Sequence, residues 1–113
     1  MNPGEIYLAN FPFGGSAGMK LRPVLLLTAA LGPVPEVLVA YISSVVPLAP
    51  LTTDLVLDPN LPECSATNLK VVSVLRLHKL ATIHQRNLIR RLGIVSTETW
   101  IDVQRKLRGM LSL

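Results

Sequence analysis

This chain is poor in the residues that bring reactive chemistry on their own. It has one cysteine and two histidines. A lone Cys64 excludes an intramolecular disulfide and suits a reducing cytoplasm. Cys64, His78 and His84 are too few and badly spaced for a zinc site. Neither a Gly-x-x-x-x-Gly-Lys-[Ser/Thr] phosphate loop nor a Gly-x-Gly-x-x-Gly turn is present, so nucleotide-binding classes built on them fall away. Spacing alone leaves a Ser-His-Asp triad open, but there is no nucleophile elbow. Aromatic residues make up 4% of the chain, which leaves the core to Val and Leu. The uncharged runs Pro23–Pro35 and Val37–Thr53 are interrupted by Gly32, Pro33, Pro35, Pro47 and Pro50. The first is too short to span a bilayer and the second too short and polar, so no membrane segment is expected. No basic stretch precedes an apolar one near the N-terminus, so no secretory signal is expected either.

What is present is an apolar chain of one-domain size. Half of the 113 residues are apolar and 16% are charged, which favours a single folded domain over residues 1–113. The net charge of +4 is unevenly placed. Up to residue 65 the only basic side chains are Lys20 and Arg22, against Glu5, Glu36, Asp54, Asp58 and Glu63. From residue 66 onward, nine Lys and Arg face only Glu98 and Asp102. A basic second half fits a polyanionic partner, either nucleic acid or an acidic protein segment.

Alternation of apolar and polar residues predicts a strand over Gly4–Phe11. Pro12–Lys20, with Gly14, Gly15, Ser16 and Gly18, reads as a flexible loop. Further strands are expected at Arg22–Thr28, Val37–Val46, Thr53–Leu57 and Leu69–His78. Leu31–Pro35 and Thr82–Asn87 read as turns, Asp58–Asn68 as a loop, and Leu88–Val95 suits either a helix or a strand. Ser96 is a good N-cap, Glu98 sits in the first turn, and Trp100, Val103, Leu107 and Met110 recur on one helical face. Short strands followed by one helix predict a mainly β fold, a small curved sheet or barrel with a C-terminal α-helix.

The stretch Ser73–Ile83 carries the most chemical information. Alternation turns Leu75 and Leu77 to a core and sets Arg76 and His78 side by side on the opposite face. A fixed cation beside a proton carrier suits chemistry on phosphodiesters without a metal.

Gly4-Glu-Ile-Tyr-Leu, Phe11-Pro, the Gly/Ser loop, Arg22-Pro-Val-Leu-Leu-Leu, Ala40-Tyr-Ile-Ser-Ser44 and Ser73–Ile83 occur in an order that resembles the MazF/PemK/Kid toxins, above all their PemK-like members. The resemblance runs over essentially the whole chain. It implies an SH3-like barrel, a homodimer, no cofactor and no metal. It also implies a sequence-specific endoribonuclease acting on single-stranded RNA, in which the 2′-hydroxyl attacks the adjacent phosphate to leave a 2′,3′-cyclic phosphate. The implied partners are a cognate acidic antitoxin and, only through the antitoxin complex, DNA.

Carried over position by position, Arg22 matches the catalytic arginine after the loop and Ser43 the hydroxyl that steadies the phosphate. Arg76 matches the second arginine of the Kid-like branch. His78 stands where that branch carries aspartate; a histidine can move protons there, or can do no more than hydrogen-bond a neighbour. Ser16 and Lys20 fall in the loop that approaches RNA in this family. Phe11 and Phe13 suit base stacking or plugging of the barrel end. Ser44 and Thr82 are expected close to the site. Lys79 is expected to contact RNA or an acidic antitoxin tail, or to lie in solvent, with Arg90 and Arg91 in the latter two roles. His84 reads as a turn residue, and Glu5 and Asp54 as surface carboxylates. Two other functions fit the same outline: a CcdB-like toxin that poisons gyrase by binding it, and a non-catalytic barrel that binds RNA or a partner.

Overall fold

The structure, a computed structural model, describes residues 1–12 and 19–113. Six strands form one antiparallel sheet: β1 (Glu5–Pro12), β2 (Met19–Leu26), β3 (Glu36–Ser43), β4 (Asp54–Leu57), β5 (Ser73–His84) and β6 (Leu88–Ile94). The helix α1 (Thr97–Leu111) follows. The expected fold class holds, mainly β with a C-terminal helix. The sheet does not close, however; its order is β4-β5-β3-β2-β1-β6, with β4 and β6 at the edges.

The 3-10 helix Pro62–Thr67, within the segment expected as a loop, packs against the edge strand β6. Its backbone rests directly on β6. A Cβ added at Gly93 would come 2.2 Å from the Ala66 carbonyl oxygen, so only glycine fits there. The Asn68 amide completes the contact by donating to the Leu92 carbonyl at 2.8 Å. The segment Leu88–Ile94 is thus a strand, settled by pairing with β1 that its own short pattern did not reveal. β2 begins at Met19, before the expected Arg22. Pro23 lies inside it, where β3 has not yet paired and a missing N–H is tolerated.

Two hydrophobic clusters lie on the two faces. The first gathers Ile6, Leu25, Ile42, Leu57, Leu75, Leu77 and Val103, with Trp100 and Leu107 of α1 packed against it. The second gathers Ala9, Phe11, Val24, Leu26, Val37, Val39 and Ile83. Burying each Leu or Val in such a cluster stabilises the fold by about 1.5–3 kcal/mol. Ser96 caps α1 as expected, its hydroxyl accepting from the Thr99 N–H at 3.1 Å.

The decisive local feature is a break in register on β5. Tyr41 of β3 stands opposite Arg76, but the next residue back, Ala40, stands opposite Leu80. Leu77, His78 and Lys79 are therefore left over in a bulge. Because three residues is an odd number, the bulge reverses which face odd-numbered positions occupy. Leu75 before it and Leu77 at its start join the first cluster, and Ala81 and Ile83 join the second after it.

Candidate active site

Sheet register decides which candidates meet. Val24 pairs with Tyr41, Tyr41 with Arg76, and Arg76 with Asp54, so these four share one face across four strands. Side chains two apart on a strand share a face, which adds Arg22 beside Val24 and Ser43 beside Tyr41. Three of the predicted catalytic residues, Arg22, Ser43 and Arg76, are thus set on the same side at one end of the sheet.

Asp54 organises this end. It was expected at the surface, yet its side chain is 0% exposed, because β4 is laid against β5 with Asp54 facing Arg76. Arg76 Nε donates to Oδ1 at 3.0 Å and Nη2 to Oδ2 at 3.3 Å, a side-on fork. The Leu51 N–H also donates to Oδ2, at 2.8 Å. Burial pushes the carboxyl's pKa upward, but the Leu51 N–H, the Arg76 hydrogen bonds and the Arg76 and His78 charges outweigh it and hold it below the usual aspartate value. His78 projects from the bulge with Nδ1 3.9 Å from Asp54 Oδ1, within ion-pair range when the imidazole is protonated.

Ser43, the last residue of β3, is buried; its Oγ accepts from the Val45 N–H at 3.1 Å, which leaves the hydroxyl hydrogen to be donated. Arg22 is exposed on β2 and its Nη1 donates to the Leu21 carbonyl at 2.9 Å. It also lines a groove of about 500 Å³ with Leu21, Ser44, Lys70, Ser73 and Arg90. Ser44 is exposed and lines the same groove. Lys70 was missed in the sequence; its only signal was membership of the basic second half.

The remaining expectations divide. Lys20 is exposed opposite Phe11. Lys79 is exposed with Nζ 5.6 Å from the centre of the Tyr41 ring, a cation over an aromatic face. Phe11 is a correction as a base-stacking surface. Its ring is buried in the second cluster and stacked on Tyr41 at 5.4 Å, so it fills the core instead. Thr82 is a correction as a residue close to the site. It is exposed and stands opposite Leu38, three positions along β3 from the Tyr41–Arg76 pair, roughly 10 Å, and the bulge has turned it to the other face. Glu5 is a correction too: it is buried, and it accepts from Arg91 Nε at 2.6 Å and from the Asn2 N–H at 2.5 Å. Burial raises its pKa, but the bonds from Arg91 and Asn2 and the charges of the N-terminus and Arg91 outweigh that and lower it overall. His84 Nδ1 accepts from the Arg86 N–H at 3.0 Å, as a turn residue does. Phe13 and Ser16 lie outside the described residues.

Among the described residues, no three His, Cys, Asp or Glu side chains gather as a metal site would require, and no helix is long and apolar enough to cross a membrane.

Comparison with known proteins adds a family. The model of the PemK-like, MazF-like toxin of type II toxin–antitoxin systems matches residues 2–111. No curated protein matches the chain in sequence. Among solved structures, the Mycobacterium tuberculosis toxin MazF-mt6 superimposes with a TM-score of 0.72 at 24% identity, covering 96% of this chain and 97% of that one. MazF of Deinococcus radiodurans gives 0.72 at 17% identity, covering 100% and 97%. A mycobacterial endoribonuclease in complex with its cognate antitoxin gives 0.68 at 16% identity, covering 100% and 96%.

Proposed function

This chain belongs to the PemK-like, MazF-like toxins of type II toxin–antitoxin systems, and from that premise we propose that it is a metal-independent, sequence-specific endoribonuclease acting on single-stranded RNA. The observation that carries the reading is the shared face of Arg22, Ser43 and Arg76, with His78 beside them. In the reaction the RNA 2′-oxygen bonds to the adjacent phosphorus while the bond to the 5′-oxygen breaks. The products are a 2′,3′-cyclic phosphate and a 5′-hydroxyl. One proton leaves the 2′-hydroxyl and one reaches the departing oxygen. His78 is the group here that can carry a proton, and the arginines offset the charge gathering on the phosphorane. The Ser43 hydroxyl donates to a phosphate oxygen.

As partners we propose a second copy of the chain in a homodimer, and an antitoxin whose acidic segment covers the basic rim of Arg22, Lys70 and Arg90. DNA would be contacted only through that antitoxin complex, and the place of action would be the cytoplasm. The similar fold of the mycobacterial endoribonuclease that is bound to its cognate antitoxin supports the antitoxin partner.

The test is incubation of the purified protein with a mixed-sequence RNA in EDTA. Discrete fragments ending in cyclic phosphate are expected, and Arg22→Ala should abolish them. Intact RNA after prolonged incubation with folded protein would refute the proposal.

A further inference from the structure

We propose that Asp54 is the positioning residue of this site: from the floor beneath it, its carboxylate holds the guanidinium of Arg76 in one orientation and anchors the imidazole of His78. Its consequence for catalysis rests on the nuclease reading above; the positioning itself rests on geometry alone.

Three features carry the inference. The first is depth. The Asp54 side chain is fully enclosed, whereas Arg76 keeps 20% and His78 33% of their side-chain surface. The anion is beneath, and the two basic groups stand between it and solvent. Such a carboxylate is unavailable to RNA but well placed to hold what touches RNA.

The second is the fork. A side-on pair uses Nε and one N–H of Nη2, and so fixes both the tilt and the rotation of the planar guanidinium. The remaining N–H groups point away from Asp54, where they can meet a phosphate. Lone Arg side chains are costly to order; a guanidinium already held loses less on binding.

The third is that Asp54 is itself held. Its main-chain N–H donates to the Leu51 carbonyl at 3.0 Å while its carboxylate accepts from the Leu51 N–H, a reciprocal turn. Leu77 N–H, within the bulge, donates to the Thr53 carbonyl at 3.2 Å, and Lys106 of α1 donates to the Thr52 carbonyl at 2.7 Å. The segment before β4 is thereby tied to both the bulge and the helix. A buried ion pair is a poor stabilising device compared with apolar packing, so stability alone gives little reason for one beneath this site.

Asp54→Asn keeps the shape and removes the charge. Kinetics on a cleavable RNA oligonucleotide should show kcat lowered about 30-fold with KM changed less than twofold. The double variant Asp54→Asn/Arg76→Ala should be slower than Arg76→Ala alone by only a few-fold, the part carried by His78, because Asp54 acts mainly through Arg76. A folded Asp54→Asn with wild-type kcat, or losses that multiply in the double variant, would overturn the proposal. A measurement on the unaltered protein covers a variant that does not fold. The Arg76 Nε–Hε resonance should be sharp and slow to exchange with water at neutral pH, and a signal exchanging like those of exposed arginines would also overturn it. If the wild type cleaves no RNA, the nuclease reading falls, and this resonance still decides whether Asp54 holds Arg76.

Discussion

Asp54–Arg76 and Glu5–Arg91 are the same chemical pair set in two places. The first joins β4 to β5 at the cluster of Arg22, Ser43 and His78; the second joins β1 to β6 at the edge of the sheet. Both carboxyls are held below their usual pKa. They differ in what lies above them. Arg76 is 20% exposed and has His78 as a neighbour, whereas Arg91 is 47% exposed and, among the described residues, the other basic group paired with its carboxylate is the N-terminal amine at 3.5 Å. An arginine–carboxylate pair therefore says little by itself. Its role follows from whether the cation is fixed toward a place where a substrate can lie.

The sharpest way to break this comparison is to remove each arginine. Arg76→Ala should lower kcat for RNA cleavage about 1000-fold, the scale of losing a principal charge-stabilising donor. Arg91→Ala should leave it within about twofold. Equal losses in a cleavage assay would erase the distinction. Next in size is His78→Gln, expected to slow cleavage about 100-fold, as for a lost proton carrier. Near-normal rates would remove His78 from the mechanism and leave Arg22, Ser43 and Arg76 to act alone.

The two carboxylates also predict acid behaviour. Each has a folded pKa below its unfolded value, so its contribution to stability is present above the unfolded pKa and is lost as pH falls through the folded one. Urea midpoints should therefore drop from pH 6 toward pH 3. Asp54→Asn should flatten that dependence and cost about 2–3 kcal/mol at pH 7, since it orphans a largely buried guanidinium. The smallest effect is expected for Arg91→Ala, about 0.5 kcal/mol, because a half-exposed partner is screened by water. A larger loss for Arg91→Ala than for Asp54→Asn in the same denaturation series would reverse the ranking.

The strands and helix were legible because they depend on local pattern. Glu5–Pro12, Glu36–Ser43, Asp54–Leu57 and the Ser96-capped helix lie close to where alternation and capping put them. The arginines and Ser43 were legible as a set through resemblance, and the register gives them a common face. Asp54 and Glu5 were not legible. Each is buried by a partner far along the chain, 22 residues away for Asp54 and 86 for Glu5, and local pattern carries no information about such pairing. Thr82 was misplaced for a related reason: local pattern ends the strand at His78 and reads a turn from Thr82, whereas a bulge carries β5 on to His84 by pairing with β3.

The bulge at Leu77–Lys79 separates two kinds of constraint on this protein. Its length is constrained by folding, because one insertion or deletion would exchange the faces of Leu80 to Ile83 and take Ala81 and Ile83 out of the second cluster. The identity of the outward residues is nearly unconstrained by folding, since His78 and Lys79 are exposed and belong to neither cluster. The segment is thus a socket of fixed length with interchangeable contents. A lineage could replace the group at position 78 and try a different proton carrier beside Arg76 while the sheet stayed as it is.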